Sequence, residues 1–291
     1  MPTQKKKNYL NKTLRLNSAV FLKEASFFLL VQILGLLVAR RLFTFPEIAK
    51  IEASPPSFSN PLIFLGIFAL TTIVFLLLVR FFRKTPFFLK IFLGIAIFIG
   101  LDIVFGAFFG EPLAFSLALI LVGLRFFYNN ILLHNFLFSL ALAGIGGFLG
   151  LSFSPKVAVM VLVVLAGYDL VAVYLTKHMV RLARSMIKEG VFLGIIIPRR
   201  KEDSLKRSFI FSFKRKNFYF LGGGDLALPL ILVASIGRTS LLKGGIVIFF
   251  SLFGLFLMNL LFMGQKERRP MPALPPIVLG SLLGYLVATL F

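Results

Sequence analysis

The chain of 291 residues contains no cysteine and no tryptophan, only two histidines, and 11 acidic residues set against 32 lysines and arginines. The missing cysteine excludes a disulfide framework, a thiolate metal site and a cysteine nucleophile, and it leaves the redox compartment undetermined. Few acids against many bases produce a formal charge of +21, which fits nucleic acid, anionic lipid or membrane topology until the charges are placed. What the chain has instead is apolar surface. Hydrophobic residues make up 58% of it, 37 of them phenylalanine, against roughly 45–50% in soluble domains. Long apolar runs broken by basic clusters identify an integral membrane protein.

A membrane helix needs about 20 mostly apolar residues, because hydrocarbon offers its backbone no outside partner. Nine such stretches are present, near 25–45, 61–82, 87–108, 112–128, 131–151, 157–179, 219–237, 244–264 and 273–291. If residues 1–24 lie inside, 26 of the 32 basic residues fall on the inner side; only Arg40, Arg41, Lys50, Lys156, Arg238 and Lys243 fall outside. The bias predicts an N-in, C-out protein, and the odd number of crossings agrees. The expected fold is therefore an all-α polytopic membrane protein of nine transmembrane helices, forming one domain over 1–291 in the cell membrane with a cytoplasmic N-terminus. Spans one to six occupy 25–179, a cytoplasmic loop 180–217, and spans seven to nine 218–291. Charge used for orientation needs no nucleic acid, so the expected partner surface is membrane lipid. The first span lacks a small-residue cleavage site and should remain as an anchor.

Three acids, Asp102, Asp169 and Asp225, fall within apolar spans, where an aspartate costs roughly 2.5–3.5 kcal/mol to insert. Asp102 has no reactive-looking neighbour and suits a structural or interfacial role. Asp169 follows Tyr168 in mid-span. Asp225 follows Gly222, Gly223 and Gly224 at the inner end of the seventh span, and the glycines permit close backbone approach and departure from regular helix. Pro270, Pro272, Pro275 and Pro276 crowd the start of the last span, where they remove amide donors and oppose a regular helical start. Such backbone is tolerated at membrane depth where it is buried in protein or lines a wet cavity.

Asp169 and Asp225 sit on consecutive antiparallel spans and can meet near the cytoplasmic side. Two carboxyls that meet in a poor dielectric hold one proton between them and titrate as a unit. One then takes a proton from water while the other polarises a scissile carbonyl, which gives a gem-diol and peptide cleavage. That chemistry needs no metal, cofactor or covalent intermediate. With only His134 and His178, no His-Glu-x-x-His and no Gly-x-Ser-Gly, the chain lacks the signatures of metal- and serine-type intramembrane proteases.

Taken together, Tyr168-Asp169 in span six, Gly222-x-Gly224-Asp225 in span seven and Pro272-Ala273-Leu274 in span nine resemble the presenilin and signal-peptide-peptidase family of intramembrane aspartyl proteases, most closely its microbial presenilin homologues. The resemblance is carried by residues from about 157 onward. It implies Asp169 and Asp225 as the catalytic pair, with Pro272, Ala273 and Leu274 shaping the site and holding substrate, Gly222 and Gly224 supplying close packing, and Tyr168 beside the acid. It also implies transmembrane protein substrates, and the N-in orientation points to the presenilin branch and to substrates with their N-terminus outside. The short loop between spans six and seven makes autoproteolysis doubtful. Within that loop, Val191 to Ile197 and Asn217 to Leu221 have the composition of strands that could take up an unwound substrate as an added strand.

Two other classes remain open from the residues alone. A transporter or channel would use the aspartates for protons or cations, and a scaffold would use them to pair helices. A prepilin-type peptidase shares the Gly-x-Gly-Asp element but has fewer spans and no Pro-Ala-Leu. Homo-oligomerisation is also open, because Gly144, Gly146, Gly147 and Gly150 could pack within the chain or between protomers.

Overall fold

A computed structural model of the chain describes residues 3–45, 66–67, 70, 74, 86–128, 130–175, 192–198, 218–263, 265 and 271–291. Its helices are α1 (Thr3–Phe43), α2 (Pro86–Phe109), α3 (Glu111–Phe127), α4 (Ile131–Ser152), α5 (Pro155–Leu170), α6 (Gly223–Gly237), α7 (Leu241–Met263) and α8 (Leu274–Thr289). The fold is mostly helical, but it is not all-α. Strands β1 (Gly194–Pro198) and β2 (Phe218–Gly222) form a two-stranded antiparallel sheet. Among the described residues, five helices are long and apolar enough to cross a membrane, and α6 and α8 are shorter apolar helices of 15 and 16 residues. The architecture is that of a polytopic membrane protein. Most of the expected second span, most of the inner loop and residues 266–270 lie outside the described residues.

Several boundaries differ from the sequence reading, each for a visible reason. The basic N-terminal segment is helical and continuous with the first span, whose apolar stretch runs Ala19–Phe43 and not 25–45. Span six is an α-helix only to Leu170, after which Val171–Leu175 widens into π-helix. Span seven begins at Gly223 and not at 219, because Phe218–Gly222 is apolar strand and composition alone cannot separate it from helix. The break between spans three and four falls at Gly110, whose φ of 82° is a left-handed conformation that favours glycine.

Small residues draw the helices together. A Cβ at Gly100 or Gly144 would collide with the backbone of the facing helix, so α2 and α4 touch main chain to main chain. Gly35 of α1 and Gly146 of α4 both receive the Leu230 side chain of α6, and Gly150 lies against Ala234 and Ile231. With Gly147 packed on Gly35, all four glycines of α4 are used inside the chain. On the other side, Gly254 of α7 lies against the Pro276 carbonyl, and Gly280 of α8 against the Phe250 carbonyl. The buried hydroxyls of Ser251 and Ser281 are hydrogen-bonded across that same interface at 2.8 Å. Lipid supplies no hydrophobic force between helices, so close packing and such polar contacts hold them.

At one end of the molecule, arginines bond the carbonyls of helix C-termini. Arg40 donates to the Arg238 and Thr239 carbonyls at 2.9 Å, Arg41 to Ala107 at 3.3 Å, and Arg238 to Leu151 at 2.9 Å. These contacts gather the C-terminal ends of α1, α2, α4 and α6 on one face, so the first, third, fifth and seventh expected spans run in the same direction.

Because the α7–α8 seam positions the start of α8, filling it should move the Pro-Ala-Leu segment. Gly254→Val is expected to cost about 1–3 kcal/mol by overpacking and to lower the thermal midpoint of the purified protein by at least ~2 °C. An unchanged midpoint would show that the seam is not tight.

Candidate active site

Asp169 and Asp225 arrive at one place by opposite routes. Asp169 lies near the C-terminal end of α5 and Asp225 at the third residue of α6. Measured from the far ends of their helices, at Pro155 and Gly237, the two lie about 21 and about 18 Å deep at 1.5 Å per residue. They are at matching depth, and their carboxyl groups are within Coulombic range of each other. Both side chains are only partly buried, whereas Leu226 directly after Asp225 is fully buried. The pair therefore stands at the edge of the packed interior, on a face that also exposes Tyr168 and Gly224.

Each carboxylate satisfies the first turn of a helix. The Gly222 N–H donates to Asp225 Oδ2 at 3.2 Å, so Asp225 closes its own helix in half of a capping box. The Leu274 N–H donates to Asp169 Oδ2 at 3.2 Å, so Asp169 caps α8 from another helix. The proline run explains why this one donor matters. The first four N–H groups of a helix lack internal partners, and in α8 the second and third residues are Pro275 and Pro276, which have none to offer. Leu274 is then the first available donor of the turn, and it is aimed at Asp169. The prolines do not prevent a helical start, as the sequence suggested. Pro275 and Pro276 occupy first-turn positions where a missing N–H costs nothing.

The glycine run divides its work differently from the sequence reading. A Cβ on Gly222 would press on the Asp225 carboxylate, and one on Gly223 would meet the Phe138 ring and the Leu193 carbonyl. Gly224 has only ordinary room around it. The close packing expected of Gly222 and Gly224 is thus found at Gly222 and Gly223. Pro272 and Leu274 are buried and Ala273 is half-buried, its backbone forming the N-cap of α8. Asp102 lies partly buried on α2, a helix packed on α1, α3 and α4.

Sequence reasoning missed two supports of the pair. Gln32, in the middle of α1, donates through Nε2 to the Leu226 carbonyl at 2.8 Å. It holds α6 one turn ahead of Pro229, whose missing N–H leaves the Asp225 carbonyl without its usual helical donor. The π-helical turn begins two residues after Asp169. Such turns gather at functional sites, but no residue type announces one. No group of three or more metal-ligating side chains occurs among the described residues.

Comparison with known proteins identifies the family. A family model described as signal-peptide peptidase, presenilin aspartyl protease matches residues 25–291. Two solved structures of a presenilin family intramembrane aspartate protease, in space groups C222 and P2, are each 26% identical to this chain. The first has a TM-score of 0.61 and covers 93% of this chain and 98% of its own; the second has 0.62, 92% and 97%. Curated proteins provide no match. The chain belongs to the signal-peptide peptidase and presenilin family of aspartyl proteases, and it is an intramembrane protease.

Proposed function

We propose that Asp169 and Asp225 are the catalytic pair, and that they cleave peptide bonds within transmembrane segments of other membrane proteins. The observation that carries this reading is the convergence of three separate sequence elements. Asp169, Asp225 with its glycines, and Leu274 of the Pro-Ala-Leu element come from three helices and meet through two hydrogen bonds of 3.2 Å, with the two acids within Coulombic range of each other. A transporter or a scaffold has no use for a proline-pruned helix start aimed at one member of an acidic pair.

The reaction needs one proton shared by the two acids. The ionised member accepts a proton from water as the oxygen attacks the scissile carbonyl, and the protonated member donates a hydrogen bond to that carbonyl oxygen. The resulting gem-diol collapses, the C–N bond breaks, and the leaving nitrogen takes up a proton. Water, and no other co-reactant, is consumed.

The substrate must lie extended here, since a helix hides its carbonyls in internal bonds. Strand β2 supports this. It leads directly into α6, and the N–H of its last residue, Gly222, is held by Asp225. A substrate strand added along β2 would run past the acids, its backbone bonds providing affinity and its side chains weak selectivity. Nine crossings in a single domain, an N-in orientation in the cell membrane, and substrates with their N-terminus outside complete the reading. They rest on the basic-residue bias and on the shared direction of α1, α2, α4 and α6. Membrane lipid is the surrounding partner.

Asp169→Asn and Asp225→Asn should each lower the turnover of a purified single-span substrate by at least about 100-fold, the usual scale of acid–base catalysis. Retained cleavage in either variant, read by mass spectrometry, would refute the pair. The pH profile of kcat/KM should be bell-shaped. The acid limb marks protonation of the ionised member and the alkaline limb loss of the shared proton; a profile flat on the acid side would exclude sharing. Phe220→Pro, which deletes one N–H of β2, should reduce cleavage while the protein remains folded, and unchanged turnover would remove strand addition from the mechanism.

A further inference from the structure

The two strands pair with Gly194 opposite Gly222, Ile195 opposite Leu221, Ile196 opposite Phe220, Ile197 opposite Tyr219 and Pro198 opposite Phe218. In an antiparallel pair, opposed residues alternately point their backbone groups at each other and away. Two bonds fix the phase. The Gly223 N–H donates to the Leu193 carbonyl at 3.0 Å, so 193 faces β2 and 194, 196 and 198 face outward. Independently, both backbone groups of Ile196 are taken by a side chain outside the sheet.

Each of the three outward carbonyls of β1 has a side-chain donor. His134 Nε2 reaches Gly194 at 3.1 Å, Asn135 Nδ2 reaches Ile196 at 2.7 Å, and Lys23 Nζ reaches Pro198 at 3.3 Å. Asn135 Oδ1 also accepts the Ile196 N–H at 3.0 Å, and Pro198 has no N–H to satisfy. Asn135 therefore completes the ladder of β1 as a neighbouring strand would, from the second turn of α4. Since a carbonyl can only accept, His134 carries its proton on Nε2, and its Nδ1 accepts from Arg125 Nη2 at 3.2 Å. His134 and Asn135 are buried within an apolar span, where polar side chains are costly and need a reason.

We infer that Asn135, flanked by His134 and Lys23, is a positioning residue: it latches the outer edge of β1 to α4 and α1, and so fixes the register in which β2 presents an extended substrate to Asp225. This rests on the proposed catalytic pair and strand addition. The line of force is short. Asn135 holds Ile196, the ladder of β1 holds Leu221, and the adjoining Gly222 N–H is bonded to Asp225. The latch also occupies the outer edge of β1, so a substrate strand is directed to β2. A sheet with a loose edge slips in register, and a slip by two residues keeps the same face toward the same neighbour.

The test uses the full-length protein and a single-span substrate, with cut positions read by mass spectrometry. Asn135→Leu keeps the number and branching of the side-chain heavy atoms and removes both bonds. It should lower kcat by about 10- to 100-fold, as for a site displaced by roughly 1 Å, with a smaller change in KM, and should add products displaced by two residues. A purely structural defect would reduce the folded fraction, read by thermal unfolding, without moving the cut. If Asn135→Leu does not fold, His134→Phe and Lys23→Met carry the test. The first preserves the ring that stacks on Phe138, and both should shift cut positions in the same way. Folded variants with the wild-type cut and kcat within about two-fold would overturn the latch. Loss of wild-type cleavage in Asp169→Asn, measured alongside, separates that outcome from failure of the catalytic reading.

Discussion

Backbone N–H and C=O groups have no water to turn to in hydrocarbon, and the site is arranged around that requirement. A continuous helix satisfies it but buries every peptide bond in its own ladder, which leaves no room for hydrolysis. This protein starts two helices within reach of one another, α6 and α8, and satisfies an exposed N–H at each start with one of the two acids. Asp225 caps its own helix and Asp169 caps α8. The carboxylates thereby stabilise a break in regular structure, and in the proposed mechanism they activate water at that break. The charge distribution of the helices helps, since a helix N-terminus favours a negative group nearby.

The short helices follow from the same requirement. At 1.5 Å per residue, α6 and α8 are about 22 and 24 Å long, less than the roughly 30 Å of hydrocarbon in a typical bilayer. The missing length is at their N-terminal ends, where β2 and the Pro-Ala-Leu segment lie. Irregular backbone at that depth must be enclosed by protein, and the polar side chains of α4 and α1 supply that enclosure for β1. The glycine contacts of α1, α4 and α6, and those of α7 and α8, then keep the two helix starts at a fixed separation.

Much of the site was legible because membrane proteins make polar residues conspicuous. Asp169 and Asp225 stood out in a chain with 11 acids, and the proline and glycine runs marked where helices would break. The strands were also visible, though displaced. Val191 and Phe192 have the same β-propensity as the strand beside them, and only pairing with Gly222 sets the start of β1 at Gly194. Pairing decides the start of α6 for the same reason, since Phe218–Gly222 is as apolar as a span. Least legible were contacts whose partner is backbone. His134 and Asn135 are plain in the sequence, but they bond main-chain groups about 60 residues away, and a carbonyl carries no side-chain signature. The same holds for Gln32, and for Gly223 in place of Gly224, where the choice depends on which glycine faces Phe138.

The two hydrogen bonds that hold the acids both come from main-chain N–H groups, of Gly222 and Leu274. An amide of this kind survives almost any exchange of the residue that bears it, and only proline deletes it. The acid-holding half of the site is therefore indifferent to side-chain chemistry and sensitive to chain shape. Inherited variation at Leu274 or Gly222 acts through bulk and torsion, as a mechanical fault in a hinge would, and not through the loss of a functional group.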